Sequence, residues 1–375
     1  MSIITTPTLV LDKSKCITNI RRMSEKARKA NVRLRPHCKT HACLEIAQWM
    51  REEGKIQAIT VSSLSMAEYF ASEWDDITVA FPINILEIET INRIASNIQN
   101  LNIVVENLEA VDFLEQHLVH KVKVWMKIDV GYGRTGIPAK DYDRMQPILD
   151  QLRTSRNMEF MGFLTHAGHT YDCRDKENVL EIHQESRRLL LQLKDHYSNI
   201  FPNVQLSVGD TPTCSIVDAQ EFEGLDEIRP GNFVFYDLEQ AAIGSCQSED
   251  IAVAVACPIV AKHPQRSELI LYGGGVHFSK DRLSGQPQEG KIIYGRVVSR
   301  DKPTTLSWGN VIDGMYLKGV SQEHGKVVVP PSEWENYQVG DLLFVLPVHS
   351  CMTADVLKHK GYLTTEGQVL ERMKN

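Results

Sequence analysis

Eight short apolar runs, at residues 32–36, 58–62, 77–81, 102–105, 122–130, 160–165, 205–208 and 228–235, alternate with stretches whose apolar residues recur at helical spacing, among them 44–53, 108–117 and 179–195. Runs of this length suit strands, and successive strands joined through a helix are expected to be parallel. Eight such units over roughly 200 to 250 residues predict a (β/α)8 TIM-type barrel.

Beyond about residue 250 the pattern changes. Runs at 251–255, 268–272, 291–298, 326–329 and 342–346 follow one another, separated by clusters of Gly, Pro, Ser and Asp, and predict a C-terminal all-β domain. The apolar run 8–11 precedes the first helical stretch, 17–30, so the N-terminal strand is expected to join that β domain. The expected partition is a barrel over 13–245 and a β domain made of 1–12 and 246–375, with 280–290 as a mobile loop.

The 375 residues are 42% hydrophobic with a formal net charge of −7, and acidic residues are interspersed among the basic ones, which argues against a nucleic-acid binder. No N-terminal signal segment is visible, and no apolar stretch approaches the roughly 20 residues that cross a bilayer. The eight cysteines are scattered without a CxxC pair, as in a reducing compartment. A cytoplasmic protein acting on small molecules, with neither nucleic acid nor membrane as partner, is the resulting expectation.

Barrel active sites are built at the C-terminal ends of the strands. The first run ends in Arg35-Pro36-His37-Cys38-Lys39-Thr40-His41, where an arginine and two histidines flank Lys39. Neighbouring cations or desolvation lower a lysine pKa and make the amine nucleophilic, although most isolated lysines are solvated surface charges. The spacing of His37 and His41 could mimic a helical metal pair, but the cation between them points instead to tuning of Lys39 and its loop. Asp129 to Gly136 (DVGYGRTG) follows the fifth run, His166 to Tyr171 (HAGHTY) the sixth and Gly209 to Thr213 (GDTPT) the seventh; the eighth contains Arg229, and Tyr236 follows it. Gly209-Asp210-Thr211 reads either as a helix N-cap or as a phosphate cradle, and its place after the seventh strand favours the cradle. A lysine handle and a phosphate anchor are what pyridoxal phosphate requires.

Two further clusters lie in the β domain. His349 and Cys351, two apart, would point to one side of an extended segment, and an imidazole with a thiolate suits zinc, although a packed cysteine beside an incidental histidine is the commoner arrangement. Ser321-Gln322-Glu323-His324-Gly325 is a polar cluster, and Gly273-Gly274-Gly275 reads as a β-domain turn because no helical pattern follows it.

Together, RPHCKTH, GYGRTG, HAGHTY, GDTPT, RPGNFVFYD, SQEHG and PVHSC give the chain a resemblance, over almost its whole length, to the fold-type III pyridoxal phosphate enzymes, the alanine racemase-like group. Within it the chain resembles the D-serine dehydratase and D-threonine aldolase branch. The resemblance implies that Lys39 forms the internal aldimine, that Arg134 and His166 lie beside the cofactor ring, and that Tyr171 lines the pocket. It further implies that Gly209, Asp210 and Thr211, with Tyr236, hold the phosphate while Arg229 faces the pyridine nitrogen. His324 would approach the active site as a catalytic residue, from the neighbouring subunit of a homodimer. His349 and Cys351 match the HxC of the dehydratases, whereas D-threonine aldolases tend to carry a carboxylate at the second position. The implied activity is zinc-assisted dehydration of a small D-3-hydroxyamino acid such as D-serine to a 2-oxo acid and ammonia. The alternatives are retro-aldol cleavage with Mn2+ or Mg2+, and, further off, an amino-acid racemase or a pyridoxal phosphate carrier.

Overall fold

The computed structural model describes residues 4–284, 290–300 and 305–374. The chain divides into two compact units, Arg21–Gly231 and a second made of Met1–Ile20 with Asn232–Asn375.

In the Arg21–Gly231 unit the strands follow the order Arg33–Leu34, Glu227–Ile228, Gln205–Val208, Met158–Thr165, Val122–Asp129, Asn100–Val105, Asp76–Pro82 and Ile59–Val61, all pairings between neighbours being parallel. A parallel bridge from His37 to Thr60 closes the ring. The expected eight-stranded barrel is therefore present. Its eighth run is shorter than the apolar pattern suggests: Pro230 brings no N–H to a ladder, and the chain turns into a 3-10 helix at Asn232–Val234. Side-chain caps begin the helices after several strands, with Asn107 accepting from the Ala110 N–H at 2.8 Å and Asp175 from that of Asn178 at 2.8 Å.

The barrel interior is apolar around Val104, Trp125 and Leu164, with Met161 packed on them. A polar chain also runs through it. Arg35 bonds Asp76 at 2.5 Å and Glu227 at 2.6 Å; Ser207 Oγ lies 2.7 Å from the other Glu227 oxygen; and Arg229 Nε donates to Ser207 Oγ at 2.7 Å. The Arg35 and Glu227 side chains are only 2% and 1% exposed, so removing one leaves the other as an uncompensated buried charge. Arg35→Ala is accordingly expected to cost about 3–5 kcal/mol of stability, read as a lowered urea midpoint at unchanged slope.

The second unit is built on antiparallel strands. Glu268–Tyr272, His324–Val328, Trp308–Val320, Gly295–Arg300, Leu342–Pro347 and Val253–His263 pair in succession, and the last pairs back with the first to close a ring. Thr8–Leu11 adds antiparallel to Val253–Ala256, as the sequence predicts, and Tyr362–Thr364 extends the sheet beyond it. The 13-residue strand Trp308–Val320 has no counterpart in the expected pattern, because Asn310, Asp313, Gly314 and Lys318 interrupt its apolar positions. A four-residue helix, Gly275–Phe278, follows the glycine run in place of a bare turn. Of the expected mobile loop, 285–289 lies outside the described residues, and Leu283–Ser284 pairs antiparallel with Ile292–Ile293 across it. Among the described residues no helix is long and apolar enough to cross a membrane.

Candidate active site

Lys39 sits in a single 3-10 turn, Cys38–Thr40, entered immediately after the bridge that closes the barrel. Cys38 and Thr40 are buried and anchor the turn, while Lys39 is exposed. His37 caps the turn, its Nδ1 accepting the Lys39 N–H at 3.3 Å, so a neutral ring carries its proton on Nε2. Burial, then the charges of Lys39 and Arg229, hold the His37 pKa well below its ordinary value. His41 Nδ1 likewise accepts a backbone N–H, from Cys43 at 3.1 Å. Both rings hold the backbone of the loop around Lys39.

His166, at the sixth exit, bonds the Gly209 carbonyl through Nδ1. A carbonyl can only accept, so the proton lies on Nδ1 and a neutral ring leaves Nε2 with its lone pair free. Burial and the nearby cations Lys127, Lys39 and Arg134 keep His166 well below its ordinary pKa. Lys127 is a residue that sequence reasoning missed. It is 4% exposed, and burial followed by the charges of Arg229 and Arg134 lowers it to about 7. A lysine two residues before Asp129, near the C-terminal end of the run 122–130, was the available signal.

The loop after Asp129 folds over its own carboxylate, which accepts the N–H groups of Gly131 and Gly133 at 3.0 and 3.1 Å. Both glycines have positive φ, and between them Tyr132 meets His166 edge-on at 6.0 Å and stacks on His169 at 6.1 Å. The Arg134 guanidinium lies 5.1 Å over the same ring. A Cβ at Gly168 would fall 2.3 Å from Tyr132, so only glycine leaves room for it.

At the seventh exit both readings of Gly209-Asp210-Thr211 have a basis. The Asp210 carboxylate is a helix cap, accepting the Thr213 N–H at 2.6 Å with the Thr170 hydroxyl at 3.0 Å, and burial raises it to about 6 against those bonds. An anion would therefore be met by other groups of the turn. The Thr211 hydroxyl is buried with no hydrogen-bond partner among the described residues, and the Thr211 N–H reaches Tyr171 Oη at 3.4 Å. A buried hydroxyl left this way is costly, and a phosphate would satisfy it. Arg229 donates from Nη2 to the Thr165 carbonyl and is lowered by burial to about 10, still a cation at neutral pH. Lysine, an unsatisfied hydroxyl and arginine in one unit fit pyridoxal phosphate.

The second unit holds the other cluster. His349 is the N-cap of the helix Ser350–Val356, and Cys351 lies in its first turn, so the pair is not the extended segment expected from its spacing. The helix begins there because the buried Asp237 carboxylate accepts the Ser350 N–H at 2.9 Å. Asn232 Nδ2 lies 2.7 Å from the same carboxylate and 3.4 Å from Cys351 Sγ, and Asp281 Oδ2 is 3.2 Å from His349 Nδ1. Burial alone would lower the His349 pKa, but hydrogen bonds to Asp281 and Cys351 outweigh it and raise it to about 11. The two side chains thus touch despite the helical backbone. Cys351 is half-buried whereas the other seven cysteines are buried. Among the described residues no group of three or more His, Cys, Asp or Glu could hold a metal, so this nitrogen and sulfur pair fits an open site finished by water or substrate. Tyr236 belongs to this unit, 3% exposed with a φ of 50°, and His324 is exposed at the head of its strand.

The alanine racemase N-terminal domain family matches residues 11–239, and a serine dehydratase domain matches residues 252–363. A D-serine dehydratase from Dictyostelium discoideum is 30% identical, over 98% of this chain and 95% of that protein. The structure of D-threo-3-hydroxyaspartate dehydratase from Delftia sp. HT23 is similar with a TM-score of 0.89 and 28% identity, covering 100% of this chain and 98% of that one. A cysteine-to-alanine mutant of D-threo-3-hydroxyaspartate dehydratase, in the metal-free form, is similar with a TM-score of 0.88 at 28% identity over 100% of this chain and 98% of that one.

Proposed function

The chain belongs to the alanine racemase N-terminal domain family of pyridoxal phosphate enzymes, and from that premise we propose that it dehydrates a small D-3-hydroxyamino acid, taking D-serine to pyruvate and ammonia with zinc as a second cofactor. The observation that carries the reading is the touching pair His349 and Cys351, on a chain similar along its whole length to two dehydratases. Bound pyridoxal phosphate would withdraw electrons from the substrate α-carbon, and zinc on His349 and Cys351 would act as a Lewis acid on the β-hydroxyl.

The chain's own residues divide the remaining work. Lys39 is the covalent handle; once freed by the substrate amine, it takes the α-proton from its own face, which selects the D-isomer. Thr211, with the backbone of Gly209 and Asp210, binds the phosphate. Thr211→Ala is expected to weaken cofactor binding by about 1–2 kcal/mol, measured by equilibrium dialysis; unchanged affinity would put the phosphate elsewhere. Arg229, which can only donate, faces the pyridine nitrogen and disfavours its protonation. His166 and Arg134 flank the ring, His166 offering an unprotonated Nε2. We assign the enzyme to a homodimer with His324 contributed by the neighbouring subunit. The eight free cysteines support a reducing, cytoplasmic setting.

The test is product release by protein loaded with pyridoxal phosphate and zinc. Ammonia and pyruvate should appear from D-serine and not from L-serine. Equal rates from both isomers, or no ammonia from D-serine and D-3-hydroxyaspartate alike, would overturn the proposal.

A further inference from the structure

The metal pair has two neighbours that its sequence motif does not contain, and they meet it differently. Asn232 donates toward the Cys351 sulfur, which suits a thiolate. Asp281 stands 3.2 Å from His349 Nδ1, and a carboxylate can only accept, so the bond holds a proton on Nδ1 and leaves Nε2 as the nitrogen that gives up its proton when a metal binds. We propose that Asp281 is a positioning residue for the metal: it fixes the ring and tautomer of His349 so that Nε2 is the ligating nitrogen. The inference rests on the zinc reading above.

Three features show that this contact is built. Asp281 is itself held, because Ser279 Oγ donates to Asp281 Oδ2 at 3.0 Å and accepts the Asp281 N–H at 3.1 Å. The segment leading to it is fastened to the helix that carries Cys351, since Thr353 Oγ1 donates to the Phe278 carbonyl at 3.0 Å, with Thr353 fully buried. The histidine and its carboxylate therefore sit on two elements tied directly to each other. Finally, the Asp281 oxygen that Ser279 holds is the same Oδ2 that meets His349 Nδ1, so the carboxylate is aimed at the ring. Carboxylates placed this way raise the basicity of a ligating imidazole, and losing one typically weakens metal binding about 10–100-fold.

The test is zinc affinity of the full chain loaded with pyridoxal phosphate, by competition with a chromogenic chelator, for wild type, Asp281→Ala, Asp281→Asn and His349→Ala. Wild type is expected to bind zinc and His349→Ala to lose it. Asp281→Ala should bind roughly 10–100-fold more weakly, while Asp281→Asn, whose amide carbonyl can still accept the Nδ1 proton, should recover most of the loss. Unchanged cofactor absorption across the set shows that each variant is folded. If Asp281→Ala binds as tightly as wild type, the positioning role is wrong. If Asp281→Asn is as weak as Asp281→Ala, charge or direct ligation replaces orientation and the inference is equally overturned. Wild type that takes up no zinc, or His349→Ala that binds it undiminished, overturns the zinc reading itself, an outcome separate from the two before it.

Discussion

Lys39→Ala is expected to abolish turnover and remove the visible absorption of covalently held pyridoxal phosphate, leaving a folded protein that binds the cofactor weakly. The covalent handle and the proposed base are one amine, so a single truncation removes both. Proton transfer alone contributes about 10²–10⁴-fold to such reactions, and loss of the covalent link adds to that. The fold should tolerate the change, because Cys38 and Thr40 carry the burial of the turn while Lys39 is exposed. Lys39→Arg should fail as well, since a guanidinium stays protonated and cannot act as base or nucleophile. A Lys39→Ala protein with normal turnover would leave the proposed chemistry without a centre.

Metal removal is expected to be nearly as damaging by a different route. Chelation should cut dehydration by at least about a hundredfold, corresponding to several kcal/mol of barrier supplied by a Lewis acid. The cofactor spectrum should stay largely intact, because the metal is assigned to the leaving hydroxyl and Lys39 to the cofactor. Zinc should restore the chelated wild type but not Cys351→Ala, which lacks the sulfur ligand. Full activity in a verified metal-free sample would remove zinc from the mechanism.

The barrel was legible because its strands are largely buried, so runs such as 77–81 and 102–105 are mostly apolar. The same logic overextended the last strand through Pro230, whose missing N–H ends the ladder there, and it overlooked Trp308–Val320, whose exposed face breaks every apolar pattern. At the candidate site, the strand exits could be singled out in the sequence because topology assigns those positions to chemistry. Lys127 was read only as part of a strand, since burial of a cation depends on what surrounds it in space. Asn232 lies 119 residues from Cys351 along the chain, and Asp281 stood inside a segment read as a loop, so neither contact leaves a mark in local sequence. The His349 and Cys351 pair was expected on an extended segment, whereas a helix begins there; Asp237, which starts that helix, is again distant in sequence.

D-threonine separates dehydration from cleavage in one molecule, because the same hydroxyl can leave as water or be deprotonated to break the bond between the α- and β-carbons. Enzyme loaded with pyridoxal phosphate and zinc, incubated with D-threonine and followed by proton NMR, is predicted to accumulate 2-oxobutanoate and ammonia. Accumulation of glycine and acetaldehyde in their place would contradict the dehydratase account and make the protein an aldolase.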